Sequence, residues 1–191
     1  MSEVDDALAN AITQAQAGEA RGFETLFRML GASVAGYLRA RRVSDPDGLA
    51  NEVFLRAFRT IQTFRGDGDR FRSWVFTIAH HAAVDDVRRR RRRVAEAPLD
   101  WAPETSGGDV ETEVLANLAH ERIQQQLNQL SPDQRDVLLL RVVADRSVSE
   151  TAAILDKSHE AVKALQHRGI AALQRALSSD SSDSSDDAVS R

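Results

Sequence analysis

Residues 147–169 read SVSETAAILDKSHEAVKALQHRG. Ser147 followed three places later by Glu150 is a capping box, in which each side chain satisfies the other residue's backbone N–H. A helix therefore opens here, and its apolar spacing carries it to Leu155. Asp156-Lys157-Ser158 then forms a turn, and Asp tolerates the left-handed backbone such a turn requires. Ser158 caps a second helix that runs through Val162 and Leu165. Ala152 falls where the two helices cross, and Leu155, Val162 and Leu165 supply a shared core. The spacing predicts a helix-turn-helix. On the second helix, His159, Glu160, Lys163, Ala164, His167 and Arg168 are left facing outward. Lys and Arg reach guanine edges or phosphates, and His reaches either. Taken alone, the segment also reads as an ordinary helical hairpin with a polar outer face.

The pattern on both sides is helical too. Upstream, Ser131-Pro132-Asp133-Gln134 is a second capping box with Pro at the first helical position. It opens a helix with a stripe through Val137, Leu138 and Val142. Before it, Val114, Leu118, Ile123, Leu127 and Leu130 keep helical spacing. Residues 95–112, AEAPLDWAPETSGGDVET, have two Pro, two adjacent Gly and no period, and read as a flexible acidic linker that includes Trp101. In the first half, Leu8, Ile12 and Ala15 give a short helix that stops near Gly18. Phe23, Leu26, Phe27 and Leu30, then Val34, Tyr37 and Leu38, read as an amphipathic helix pair. Asp45-Pro46 starts a further helix with Leu49, Val53, Phe54, Ala57 and Phe58 along one stripe. Gly66-Asp67-Gly68-Asp69 is a turn. A long helix follows from about Phe71 into six contiguous arginines, Arg88–Arg93. The Ser/Asp run from 178 to 191 has no apolar stripe and reads as disordered.

The expected fold class is therefore all-α. Two small helical domains, residues 1–94 and 113–177, are joined by a flexible acidic linker at 95–112, and the second contains the helix-turn-helix. No cysteine is present among the 191 residues, so disulfide frameworks and thiolate metal sites are excluded. No apolar run approaches the roughly 20 residues that span a bilayer, and the acidic start MSEVDDALANA lacks a signal-peptide core. A cytoplasmic protein with no membrane insertion of its own is expected. The net charge of −4 conceals an asymmetry: residues 1–95 carry 16 arginines against 12 acids, whereas 94–117 carry six acids and no base. That distribution, unlike the net charge, suits nucleic acid. Enzymatic chemistry finds no support. His80 and His81 are adjacent on a helix and face different directions. His120, His159 and His167 have no HExxH, paired-carboxylate or nucleophile context. Gly66-Asp67-Gly68 is not followed by the Lys-Ser/Thr of a phosphate loop.

Two stretches carry a resemblance. DGLANEVFLRAFRTIQTFRGDGDRFRSWVFTIAHHAAVDDVRRRRRR, residues 47–93, resembles the second domain of extracytoplasmic-function (ECF) sigma factors. LNQLSPDQRDVLLLRVVADRSVSETAAILDKSHEAVKALQHRGIAAL, residues 127–173, resembles their fourth domain. The two come in family order with a linker between them. The resemblance implies an RNA polymerase subunit that directs promoter-specific initiation, with no cofactor and no metal. Its partners would be the core enzyme, through the clamp coiled coil and the flap, promoter DNA, and an anti-sigma factor.

It also implies roles by position. Asn51, Glu52, Leu55 and Arg56 would form the face that docks on the polymerase. The loop and helix start at Arg65, Gly66, Asp67, Gly68, Asp69, Arg70 and Trp74 would read the −10 element, where a base is flipped out and held against an aromatic frame. His81, Arg88 and Arg89 would line the DNA nearby, the arginine run acting as a phosphate clamp. Ser158, His159, Lys163, Ala164, His167 and Arg168 would read the −35 element. The sequence departs from the family pattern at Gly48, Asn51 and His81, where relatives usually have Asp, Gln and Asn, and at Leu165-Gln166. The competing function is a helix-turn-helix transcriptional regulator that works independently of core polymerase. It would explain the second domain but not the first.

Overall fold

A computed structural model of the chain describes residues 3–96 and 125–186, and every regular element among them is helical. α1 (Glu3–Gln16) buries Leu8, Ala11, Ile12 and Ala15. It ends at Gly18, whose φ of +82° suits a residue without a side chain. α2 (Ala20–Ala40) is one continuous helix rather than the pair that the spacing predicts. No proline interrupts it, and Gly31, near its middle, is buried. α1 and α2 approach almost backbone to backbone. A Cβ on Gly22 would lie 2.4 Å from the Ala15 nitrogen and 2.8 Å from the Ala11 oxygen.

α3 (Pro46–Thr60) starts as expected, with the Asp45 carboxylate accepting from the Gly48 N–H at 2.9 Å. A short 3-10 turn, Ile61–Thr63, leads through Phe64 to Asp67. α4 (Gly68–Glu96) begins three residues earlier than the apolar pattern places it. Asp67 is the reason: its carboxylate accepts from the Arg70 N–H at 2.9 Å, which caps the helix. The other end runs two residues past the boundary expected at 94. The α2–α3 connection is tied to α4 by buried Asp86, which accepts from the Ser44 N–H at 3.1 Å and its hydroxyl at 2.7 Å.

In the second half, α5 (Pro132–Leu138) opens with the predicted capping box and passes into a π turn, Leu139–Val143. A π turn takes an extra residue per turn and so rotates the apolar stripe. Leu139 and Leu140 point inward, and Val142, expected in the stripe, is 74% exposed. α6 (Val148–Leu155) and α7 (His159–Asp186) follow. α7 continues past Leu177, where the sequence suggests a disordered tail would start. The linker from 97, with Trp101, and the predicted helix start at Val114 lie outside the described residues.

The halves do not stand apart. Leu127, Leu130, Leu138, Leu139, Leu140 and Ile154 belong to the same apolar cluster as Leu30, Val34, Leu38, Phe76 and Ala79. α6 lies along α4, and the π turn lies against α2. Arg41, which caps the end of α2, and Asp136 of α5 form an ion pair with both side chains nearly buried.

Candidate nucleic-acid interface

The turn between α6 and α7 forms as its residue types dictate. Ser147 and Glu150 complete the capping box at the start of α6. Asp156 adopts the left-handed conformation, φ 51° and ψ 51°, and ends the helix. The Ser158 hydroxyl accepts from the Ala161 N–H at 3.1 Å and so caps α7. Ala152, Val162 and Val137 are buried as one small core, with Leu155 and Leu165 packed on it. Fixing that face inward leaves His159, Glu160, Lys163, Ala164, His167 and Arg168 exposed. At about 100° per residue, positions 160, 163, 164 and 167 make one stripe. The surroundings bear on two of them. His159 Nε2 lies 3.1 Å from the Ser149 hydroxyl, and Arg168 Nε donates to the Ala164 carbonyl at 3.2 Å. Lys157, in the turn itself, is drawn back to Asp133 of α5 at 3.0 Å.

The first half brings a second set together. Phe64, Phe71 and Trp74 form an aromatic cluster, with Phe64 and Trp74 stacked at 5.3 Å between centroids and 28° between planes. Trp74 is half-buried, so one edge of this frame meets solvent. Beside it Arg65, Gly66, Asp67, Asp69 and Arg70 are exposed. A stacked aromatic with polar groups at its rim is a platform for an unstacked base. Two expectations about this segment are corrected by the geometry. Gly68, Asp69 and Arg70 form the first turn of α4 and are not loop. Gly68 is buried, and a Cβ there would lie 2.8 Å from Leu8 Cδ2, so this glycine serves helix packing. The exposed Arg65 guanidinium donates to the Gln62 and Phe64 carbonyls, both at 2.7 Å. Gly66, at φ +154°, is the position that requires glycine.

Along α4, His81, Arg88 and Arg89 are exposed. The arginine run is not uniform. Arg90 pairs with Asp86 and donates to the Arg42 carbonyl, so it braces the fold. Arg88, Arg89, Arg91 and Arg92 line a cleft of about 620 Å³ together with Arg56 and Asp85. In the sequence Arg56 belongs to a separate face, and the packing of α3 on α4 joins it to the run. On α3, Asn51, Leu55 and Arg56 are exposed and Glu52 is half-buried, with Glu52 and Arg56 ion-paired one turn apart. Leu55 is 55% exposed while its neighbours Val53, Phe54 and Ala57 are buried.

Among the described residues no group of three or more His, Asp or Glu could hold a metal ion, and no helix is long and apolar enough to cross a membrane.

Residues 26–93 match the Sigma-70 region 2 family, and residues 120–173 match Sigma-70, region 4. The ECF RNA polymerase sigma factor BldN of Streptomyces coelicolor is 33% identical over 173 residues, covering 88% of this chain and 65% of BldN. The ECF RNA polymerase sigma factor SigD of Mycobacterium tuberculosis is 31% identical over 183 residues, covering 92% of this chain and 84% of SigD. Among solved structures, CnrH in complex with the cytosolic domain of CnrY is similar at a TM-score of 0.71 and 26% identity, over 92% of this chain and 99% of that one.

Proposed function

The chain belongs to the ECF sigma factors, proteins that direct transcription by RNA polymerase, and from that premise we propose that it binds core polymerase and directs promoter-specific initiation through −10 and −35 elements. In this reading the exposed face of α3 at Asn51, Glu52, Leu55 and Arg56 docks on the clamp coiled coil, and the second half engages the flap. The aromatic frame of Phe64, Phe71 and Trp74 receives a flipped base of the −10 element, with Asp67, Asp69 and Arg70 at its rim. His81 and the arginine-lined cleft hold the neighbouring phosphates. α7 enters the major groove of the −35 element with His159, Lys163, Ala164, His167 and Arg168 toward DNA.

The observation that carries this reading is the ordered pair of region matches, 26–93 and 120–173, each holding an outward face of the appropriate chemistry. A regulator independent of polymerase would account for α6 and α7 but gives no reason for an exposed Leu55 beside an arginine cleft. The structure of CnrH with the cytosolic domain of CnrY supports a protein partner besides polymerase here, which we read as an anti-sigma factor. We place the chain's action in the cytoplasm and assign it no catalysis of its own. Run-off transcription with purified core polymerase tests the proposal. Promoter-dependent transcripts that need the added chain are expected. Tight sequence-specific DNA binding by the free protein, with no association to core on gel filtration, would replace it with the independent regulator.

A further inference from the structure

One line of α7 is exposed from Lys163 to Leu177. Lys163, His167, Ile170, Gln174 and Leu177 follow one another at steps of four and three, which keeps them on one side of the helix, and all five are exposed. Packing on the opposite side fixes that line outward. Val162 and Leu165 belong to the small core, Ala172 and Leu173 pack on the main cluster, and a Cβ on Gly169 would lie 2.9 Å from Leu138 Cδ1. Ile170 is left 42% exposed and Leu177 56%. A recognition helix meets base edges with its N-terminal residues, so DNA accounts for the start of the line but not for these two aliphatic side chains. Two aliphatics seven residues apart on one line have the spacing by which helices pair along their length.

Charge changes sign along the same helix. Lys163, His167 and Arg168 precede the aliphatic pair. Asp180, Asp183 and Asp186 follow it within α7, and no base falls between Leu177 and Asp186. A helix with bases before an apolar pair and acids after it is complementary to its own reverse. Setting Ile170 opposite Leu177 of a second copy, with the helices antiparallel, places position 180 opposite 167 and position 183 opposite 164. Each acidic end then lies over the basic stretch of the other copy. Helices paired in the same direction would bring base to base and acid to acid, which repel. The antiparallel arrangement repeats one contact twice about a two-fold axis, so it closes at two copies.

We propose that this line of α7 is a self-association surface, through which two copies of the chain pair antiparallel on Ile170 and Leu177. The same line holds Lys163 and His167, which the sigma reading assigns to the −35 element. Resting on that reading, pairing and −35 binding compete for one face of α7, and a higher concentration of the chain favours the pair by mass action.

Sedimentation velocity of the full chain, over a concentration series at low and moderate salt, tests the surface. The parent should form dimers at about 100 µM, and salt should weaken them because exposed charges are screened. Leu177→Glu should raise the dissociation constant by at least about tenfold, since it sets a charge among apolar side chains. Gln174→Leu fills the gap between the two aliphatics and should lower it by about tenfold. Helix content by circular dichroism should be unchanged in both. Leu55→Glu, equally exposed but on α3, should leave pairing as it is. Asp180→Lys with Asp183→Lys should abolish pairing, as should Lys163→Glu with Arg168→Glu. All four changes in one chain should restore it, because the opposed ends again carry opposite charge. The proposal is overturned if the parent is monomeric at that concentration, if Leu177→Glu pairs as well as the parent, or if the two double variants do. An equal loss with Leu55→Glu would overturn it too, by placing the contact on α3. Sedimentation needs neither polymerase nor DNA. Absence of run-off transcripts from a chain that pairs as described would reject the sigma reading, and the competition with it, while the surface stands.

Discussion

The Tyr37 hydroxyl and His80 Nδ1 lie 3.0 Å apart where α2 crosses α4, close to the contact between the halves. Both are neutral at pH 7. Burial pushes the tyrosine up to about 12, with Arg41 pulling slightly the other way. Burial also lowers His80 to about 4, helped by Arg41 just after α2, His81 of α4 and Lys157 of the α6–α7 turn. A pair of neutral groups thus sits among cations, one of which, Arg41, is ion-paired with Asp136.

A pH dependence follows from that histidine. Its folded pKa lies below the unfolded value of 6.5, so between pH 6.5 and about 4 the unfolded chain takes up a proton that the folded chain refuses. Stability is complete above 6.5 and declines as pH falls toward 4. The loss between pH 7 and pH 5 should be about 1–2 kcal/mol. Urea unfolding at the two pH values measures it. His80→Gln, which keeps a polar partner for Tyr37, should flatten this slope; an unchanged slope would assign it to another group.

Gly22→Ala should destabilise the protein although alanine is the better helix former. The helix-propensity gain is about 1 kcal/mol. Against it, the new Cβ would meet the Ala15 nitrogen at 2.4 Å, and backbone cannot rotate away as a side chain can. We expect a net loss of about 2 kcal/mol, read by thermal unfolding. A gain in stability would mean that α1 is free to shift along α2.

Such a glycine was not legible in the sequence, and the contrast with the helix-turn-helix explains why. Ser147 with Glu150, Asp156 and Ser158 are local signals, each satisfied within three residues, so the turn and the outward set from His159 to Arg168 could be read directly. Gly22 and Gly68 are set by what packs on them from α1, which no local pattern carries. Arg90 looks like its five neighbours until Asp86 and the Arg42 carbonyl are found beside it. The stripe through Val142 assumed a regular helix, and one extra residue in a π turn moved it outward. The contact between the halves was invisible for the same reason: Ser73 and Glu150, bonded at 2.6 Å, are ordinary polar residues until α6 is laid on α4.

Leu55→Glu should weaken binding to core polymerase while leaving the fold intact. The side chain is 55% exposed and lies outside the cluster of Val53, Phe54 and Ala57. A charged group there costs the fold little, but it would be desolvated in a helix–helix interface. The expected result is at least a tenfold weaker complex by fluorescence titration, with an unchanged melting curve. A wild-type affinity would move the docking face away from α3.

The recognition helix separates two kinds of contact. Lys163 is exposed in the middle of the stripe formed by 160, 163, 164 and 167, and among the described residues no hydrogen bond or ion pair engages its ammonium. It is placed for a base edge. Arg168 sits one residue beyond the stripe and is steadied by its bond to the Ala164 carbonyl, which suits a fixed phosphate contact. Lys163→Ala should therefore cost about 1–3 kcal/mol and relax preference at one base position. Arg168→Ala should weaken all promoters about equally and reduce the salt dependence by about one phosphate. His159 tests the geometry from the other side. Its bond to Ser149 holds the ring at the start of α7. Ser149→Ala should therefore loosen selectivity at the position that His159 reads and leave the salt slope alone. Transcription from a library carrying every single −35 substitution, for each variant at two salt concentrations, distinguishes these outcomes. If Lys163→Ala lowers all promoters uniformly, the lysine contacts phosphate, and the helix is rolled in the groove by about one residue from the register described above.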